Sequence, residues 1–333
     1  MKHNLAIVPP DDLPEGDPSS GVFQACDAIE RMHLNRAVCP RLPWDTVHDV
    51  IGPILPWQWW LLCAKQGNGK TMAAMNIVDD MVNQGRKVYV LPLEQSPVEM
   101  RRLHAALRLN LRSSAVLGLA WDKLPPGSRE AVEQEIIRQA AQDDEEYPLP
   151  NTGQVKYSPL EYVSVRQLEK VWEAADDWDA DLIVIDHIHR LADADHQELA
   201  RVAKALTGLT KHGLPALVTG QLNRGDKDPL RPYLPPSTDD IQGSAYIEQE
   251  AHVILGLYRP LMDSVTPADL LAVRGRKAEA RTLAKQNAVG LKVLKHRVDG
   301  EHTGRLFELE YRHGRIVCPE TEDRKAWANR NDL

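Results

Sequence analysis

At 333 residues the chain is longer than one small core requires and short of two full ones, so one large domain with extensions is expected. Apolar residues make up 43% and charged residues 26%, ordinary for a soluble globular protein, and no apolar run is long enough to cross a bilayer. The net charge of -8 excludes a protein that coats nucleic acid with its whole surface, while leaving room for a local basic track.

Residues 1–20 carry four prolines and several acids, the composition of a disordered tail. Their apolar run of four residues is too short for the core of a secretion signal, so a cytoplasmic protein is expected. Residues 21–44 read as a linker or docking helix. Val22, Cys26, Ile29 and Met32 recur there at helical spacing, a narrow stripe suited to its own domain or to a neighbouring subunit. Cys26, Cys39, Cys63 and Cys318 lie far apart with no Cys-x-x-Cys pair, so they read as reduced thiols.

The stretch "WWLLCAKQGNGKTMAAMNIVDDMVNQGRKVYVLPLEQS" runs as strand, glycine loop, helix, glycine and strand, a βαβ unit. Its helix sets Ala73, Ala74, Ile77, Val78 and Met81 on one face, and Gly85 is expected to stop it in a left-handed conformation. Helices follow through "PVEMRRLHAALRLNL" and from about Ser128 to Gln142, and "DDEEYPLPNTGQVKY" reads as a loop or short hairpin. Ser164 and Gln167 form a capping-box pattern before "VRQLEKVWEAADDW". The buried strand "DLIVID", a helix through "ELARVAKALTGLTKHG" and the strand "PALVTGQL" come next. Residues 224–246, with four prolines, form a long loop of the kind that carries function. Two strands, "HVILGLY" and "VGLKVLKHR", precede a hairpin-like ending, "GRLFELEYRHGRIV", and 319–333 is a polar C-terminal tail. This alternation predicts an α/β fold, a mostly parallel sheet covered by helices on both faces. Trp57, Trp59 and Trp60 are expected to pack into that domain rather than stack on bases.

In "AKQGNGKT" the loop between strand and helix has the elements that hold phosphate. Gly67 and Gly69 allow tight turns, Asn68 lies between them, Lys70 supplies charge and Thr71 a hydroxyl for Mg2+. Ala64 stands where an opening glycine is usual. Asp186 ends a buried strand, where a carboxylate can hold the magnesium water shell, and Glu94 ends the strand after the loop helix, next to the loop, where it can polarise an attacking water.

The ordered motifs "AKQGNGKT", "VYVLPLEQS", "DLIVIDHIHRL", "ALVTGQLNR", "IEQEAHVILGLYR" and "LKVLKHRVDGEHTG" resemble the RecA-like motor domain of DnaB-like bacterial replicative hexameric helicases. The resemblance covers about residues 45–318, and that family also opens its phosphate loop with Ala. It implies a RecA-like P-loop ATPase that binds ATP and Mg2+ through Lys70 and Thr71, with Glu94 as base, Asp186 as Walker B acid and Gln221 as γ-phosphate sensor. It implies too that Lys295 and Arg297 reach the neighbouring subunit's nucleotide, as a guanidinium supplied in trans can. The chain departs from the family at His187-Ile188-His189, where Tyr-Leu-Gln is common, and at Gln242-Gly243, where an Arg-Glu pair is common. A zinc site from His187, His189 and His196 is weighed against satisfied or solvent-facing histidines, and the latter is preferred. The helical collar through which such helicases recruit primase has no counterpart in the motifs.

Residues 274–297 hold eight Lys or Arg against one acid, Glu279, a local balance of +7. Arg274, Arg276, Lys277 and Arg281 are the candidate contacts to single-stranded DNA, with Arg224, Lys227 and Arg231 as the alternative. The expected protein is a homo-oligomeric, hexameric ring helicase of DNA replication. The alternative is an oligomeric ATPase that recruits protein partners in loading, transposition or defence.

Overall fold

The structure, a computed structural model, describes residue 39 and residues 41–119, 121–141, 153–160, 162–191, 196–223, 229–241, 243–312 and 314–319. The expected tail at 1–20, most of the docking segment and most of the C-terminal tail lie outside the described residues, as do Cys26, Arg224, Lys227 and Gln242.

Within Pro40–Leu333, which clusters as one unit, the described strands form one sheet of nine. In chain order they are β1 (Trp59–Ala64), β2 (Lys87–Pro92), β3 (Gln154–Tyr157), β4 (Leu182–Asp186), β5 (Ala216–Gln221), β6 (Val253–Tyr258), β7 (Ala288–His296), β8 (Leu306–Arg312) and β9 (Arg315–Val317). Their spatial order is β3-β2-β4-β5-β1-β6-β7-β8-β9, parallel from β3 to β6 and antiparallel from there on. The central strands are continuous apolar runs because both their faces are covered.

Side-chain alternation divides the core in two. Trp60, Leu62 and Ala64 of β1 face one cluster, with helix α1 (Asp45–Ile51), helix α2 (Lys70–Asn83) and helix α3 (Pro97–Arg108). Trp59, Leu61 and Cys63 face the other, with helix α5 (Leu168–Asp177), helix α6 (His196–Thr210) and helix α7 (Ser244–Glu250). Trp59 and Trp60 are thus core residues. Helix α4 (Pro126–Ala141) packs on α3 in a small satellite cluster. Two short helices, α8 (Pro267–Ala272) and α9 (Lys277–Thr282), lie on the excursion between β6 and β7, whose base is closed by a bridge between Leu261 and Ala284.

Two expectations are corrected. Residues 154–157 are no hairpin: they form an edge strand parallel to β2, a pairing with sequence-distant residues that local pattern does not reveal. Gly153 lets it dock, since a Cβ there would lie 2.3 Å from the Val82 carbonyl oxygen. The strand that carries Glu94 is also not beside the phosphate-loop strand, because β5 and β4 stand between β1 and β2.

The P-loop helix is clamped along its flank by the C-terminal hairpin. Asn76 accepts from the Ile316 amide at 3.0 Å, and the fully buried Asp79 accepts from Arg315 at 2.8 Å and Arg108 at 3.3 Å. His104 Nε2 is 3.2 Å from the same carboxylate, and the Tyr157 hydroxyl meets His104 Nδ1 at 3.2 Å. Burial works to raise the Asp79 pKa, but the bond to His104 and the charges of Arg315 and Arg108 win and hold it down at about 2.

Candidate nucleotide site

Ala64 needs no glycine because it is the last residue of β1 and stays in the strand; the turning is done by Gly67 (φ 80°) and Gly69 (φ 88°). Gly69 caps α2 in the left-handed region, and its carbonyl accepts the first helical bond, from Ala73, at 2.9 Å. Asn68 Nδ2 donates to the Pro232 carbonyl at 3.3 Å, which ties the loop to the 229–241 segment. The amides at the start of α2 point along the helix axis toward the loop, a site for anionic oxygens.

Helix α2 leaves β1 and packs across the sheet toward β2, so its first turn meets the ends of three strands. Thr71 Oγ1 donates to Asp186 Oδ2 at 2.7 Å, and Thr219, two residues before the end of β5, donates to Oδ1. Lys70 Nζ is 2.6 Å from Glu94 Oε2. Glu94 reaches this point although its strand is distant, because the chain turns over the end of β4: the Leu93 and Glu94 amides donate to the Asp186 carbonyl at 2.7 and 3.1 Å. Burial would raise the Glu94 pKa, but the bond and charge of Lys70 outweigh it and keep the carboxyl below its ordinary value.

His187 Nε2 lies 3.5 Å from the same Glu94 oxygen. Burial first, then the charge of Lys70, pushes the His187 imidazole down to about 4, so the ring is neutral near pH 7. Gln221, level with Ala64 in the β1–β5 register, donates its amide to His189 Nδ1 at 3.4 Å. The rings of His187 and His189 are 5.5 Å apart, while His196 opens α6. Among the described residues no group of three or more His, Cys, Asp or Glu is placed to hold a metal ion.

Gly67, Asn68, Gly69, Lys70, Thr71, Glu94, Asp186 and Gln221 therefore converge at the C-terminal ends of the parallel strands. Lys295 and Arg297 do not join them. Lys295 pairs with Ile254 near the start of β6, and the Arg297 amide donates to the His252 carbonyl, level with Trp59. That is about 16 Å along β1 from the loop. There the Lys295 ammonium caps the end of α7, donating to the carbonyls of Glu248 and, at 2.7 Å, Ala251, and Arg297 donates to that of Gln249. Burial, then the neighbouring Arg297, pushes the Lys295 pKa down to about 8.

The basic segment is split by the fold. Arg274, Arg276, Lys277 and Arg281 are exposed on the β6–β7 excursion, with Arg276 3.5 Å from Glu279. Lys285 pairs with Glu308 and Lys292 donates to the Pro236 carbonyl at 3.0 Å. Arg231, from the alternative track, pairs with Asp240.

Sequence reasoning missed a 510 Å³ cavity lined by Arg112, Ser113, Asn287, Tyr311, Arg312 and Gly314. It lies beside the first turns of α2, since Asn76 Nδ2 donates both to Met72, at 2.8 Å, and to Gly314, at 3.4 Å. Three separated segments build it, so no single motif announces it.

A glycine loop on a strand-to-helix turn, facing two strand-end carboxylates on a parallel sheet, defines a RecA-like P-loop ATPase. The chain belongs to the DnaB-like helicase C-terminal domain family, whose profile matches residues 49–306. It is thus a helicase-type ATPase motor domain. No curated protein matches the chain significantly. Among solved structures, it is similar to the ATPase domain of G40P, at 15% identity and a TM-score of 0.64 over 92% of this chain and 100% of that one. It is also similar to a DnaB-like replicative helicase whose structure and interactions with primase are described, at 16% identity and a TM-score of 0.65 over 91% of this chain and 69% of that one. At such identities these two establish the fold. No helix among the described residues is long and apolar enough to cross a membrane.

Proposed function

We propose that this motor hydrolyses ATP at sites shared between adjacent subunits of a homo-oligomeric, hexameric ring and uses the turnover to move along single-stranded DNA. The observation that carries the reading is the meeting of Lys70, Thr71, Asp186 and Glu94 from three elements at the C-terminal ends of the parallel strands. Gly67 to Thr71 wrap the phosphates, and Lys70 exchanges Glu94 for the outer phosphate oxygens. Glu94, ionised, accepts the proton of the attacking water, and the Gln221 side chain senses the transferring phosphoryl.

The donor set fits Mg2+: a hydroxyl and a carboxylate within 2.7 Å of each other, all oxygen and no soft ligand. Thr71 and Asp186 would hold the ion, which when bound neutralises charge on the phosphates. Lys295 and Arg297 serve the next subunit's site, since they stand at the far end of the strands from their own. Arg274, Arg276, Lys277 and Arg281 track the DNA backbone. Tyr311 and Arg312 line the space for base and ribose.

Turnover and nucleotide affinity of two variants test the carrying observation. Lys70→Ala should lose nucleotide binding or hydrolysis. Glu94→Gln should keep nucleotide and lose turnover by about 10²–10⁴-fold. Normal turnover in Glu94→Gln removes Glu94 from the catalytic role.

A further inference from the structure

We propose that His187 is a positioning residue for hydrolysis: its Nε2–H holds the Glu94 carboxylate while phosphate occupies Lys70, and His189 extends the same turn to the backbone of Gln221. This rests on Glu94 being the base.

Glu94 Oε2 accepts from Lys70 at 2.6 Å and has His187 Nε2 3.5 Å away. Lys70 cannot keep that contact and also lie against the outer phosphate. When it moves, His187 Nε2 is the ring nitrogen the described residues place within reach of Oε2, and Oε1 stays available to accept from water. A carboxylate at the end of a strand, tied only through its backbone, would otherwise sample several rotamers, and a base misplaced by an ångström loses much of its effect.

His187 is built for this task. Its ring is 6% exposed, and its carbonyl accepts from Arg190 at 3.0 Å, which fixes the turn. The preceding carbonyl, of Asp186, accepts from both Leu93 and Glu94. One dipeptide thus anchors the base by backbone and side chain together. A carboxylate can only accept, so Nε2, the ring nitrogen that faces Glu94 Oε2, carries a proton. His187 Nδ1 is buried with no hydrogen-bond partner among the described residues. A ring kept only to fill space would not carry that unsatisfied nitrogen, since an apolar ring fills the space without it. On the other side of the turn, His189 is 8% exposed and takes the Gln221 amide on Nδ1. The base, two residues beyond β2, and the sensor at the end of β5 are therefore approached through one short segment, His187 to His189, after β4.

The test uses the full chain. His187→Phe keeps the ring and removes the donor, and His187→Gln restores a donor. We expect His187→Phe to lower kcat about ten- to a hundredfold, the range for partners that orient a functional group, with little change in KM or in affinity for a non-hydrolysable ATP analogue. His187→Gln should recover most of the loss. In a Glu94→Gln background, His187→Phe should add nothing, because the group it positions is gone. If Phe is not accommodated, as circular dichroism would show, His187→Met takes its place in each comparison. Unchanged kcat in a folded donorless variant, equal loss in His187→Gln, or a parallel loss of analogue affinity would each overturn the proposal while leaving Glu94 as base. Full turnover in Glu94→Gln would overturn that reading, and this one with it.

Discussion

The two ends of the parallel strands are built differently. At the phosphate-loop end, glycine turns, paired side chains and the buried Asp79 network fix each group before any ligand arrives. At the opposite end, Lys295 and Arg297 rest on carbonyls at the end of a seven-residue helix and can exchange them for a stronger anion. In the proposed shared site one half is preorganised and the other is lightly held. The two halves stand about 16 Å apart along one strand, so a single copy cannot bring them together. In the proposed ring a second copy brings its Lys295 and Arg297 to this loop.

The largest effect should come from separating the halves. Arg297→Ala alone should lower turnover by about 10³-fold or more, the scale of a guanidinium acting on a transferring phosphoryl. Mixed with Lys70→Ala protein it should regain activity, because some interfaces then combine an intact loop with an intact cation. Absence of rescue in rings shown by mass to be mixed would return Arg297 to a role within its own chain.

The preorganised half is broken through Asp79. Asp79→Ala should lower unfolding stability by about 3–5 kcal/mol, since it strands the cations that face it. A folded-state pKa near 2, below the ordinary 3.8, means the carboxylate stabilises the fold above about pH 4 and stops doing so as pH falls toward 2. The variant should therefore lose less stability than the parent across that window in denaturant titrations. A penalty under about 1 kcal/mol would show that the clamp does not hold the loop helix.

The lightly held half should respond to alkali. An amine carries charge below its pKa, so with a value of about 8 the Lys295 ammonium is charged at pH 7 and is lost as pH rises past 8. Turnover should fall severalfold between pH 7.5 and 9.5 on the order of that titration, and Lys295→Arg, which stays charged, should flatten the profile. Identical profiles would mean that the charge does not reach the neighbour's phosphates.

The smallest effect belongs to neither end. Changing Arg274, Arg276, Lys277 and Arg281 to Ala should weaken single-stranded DNA binding evenly across sequences and reduce the salt slope by up to about three, with basal ATPase intact. An unchanged slope in an oligonucleotide titration would move the DNA track to another loop. No binding by the parent protein at low salt would favour an ATPase that recruits protein partners.

Local chemistry determined much of this protein. The glycine loop, the apolar strands and the capping residues Ser164 and Gly85 are read from neighbours in sequence, because turn conformation and helix capping are decided over a few residues. What only the tertiary structure decided are the meetings of distant segments. β3 pairs with β2 across more than sixty residues, and strand order, which no periodicity encodes, leaves two strands between Glu94 and its loop. The cavity beside α2 draws on three segments, and a basic stretch continuous in sequence divides between an exposed excursion and cations bound to carbonyls. His187, two strands from the loop in the sheet, meets Glu94 only because the chain folds back over the end of β4. Residue type can be read along a chain; whether a charge faces water, a carbonyl or another carboxylate depends on which strands the fold sets side by side.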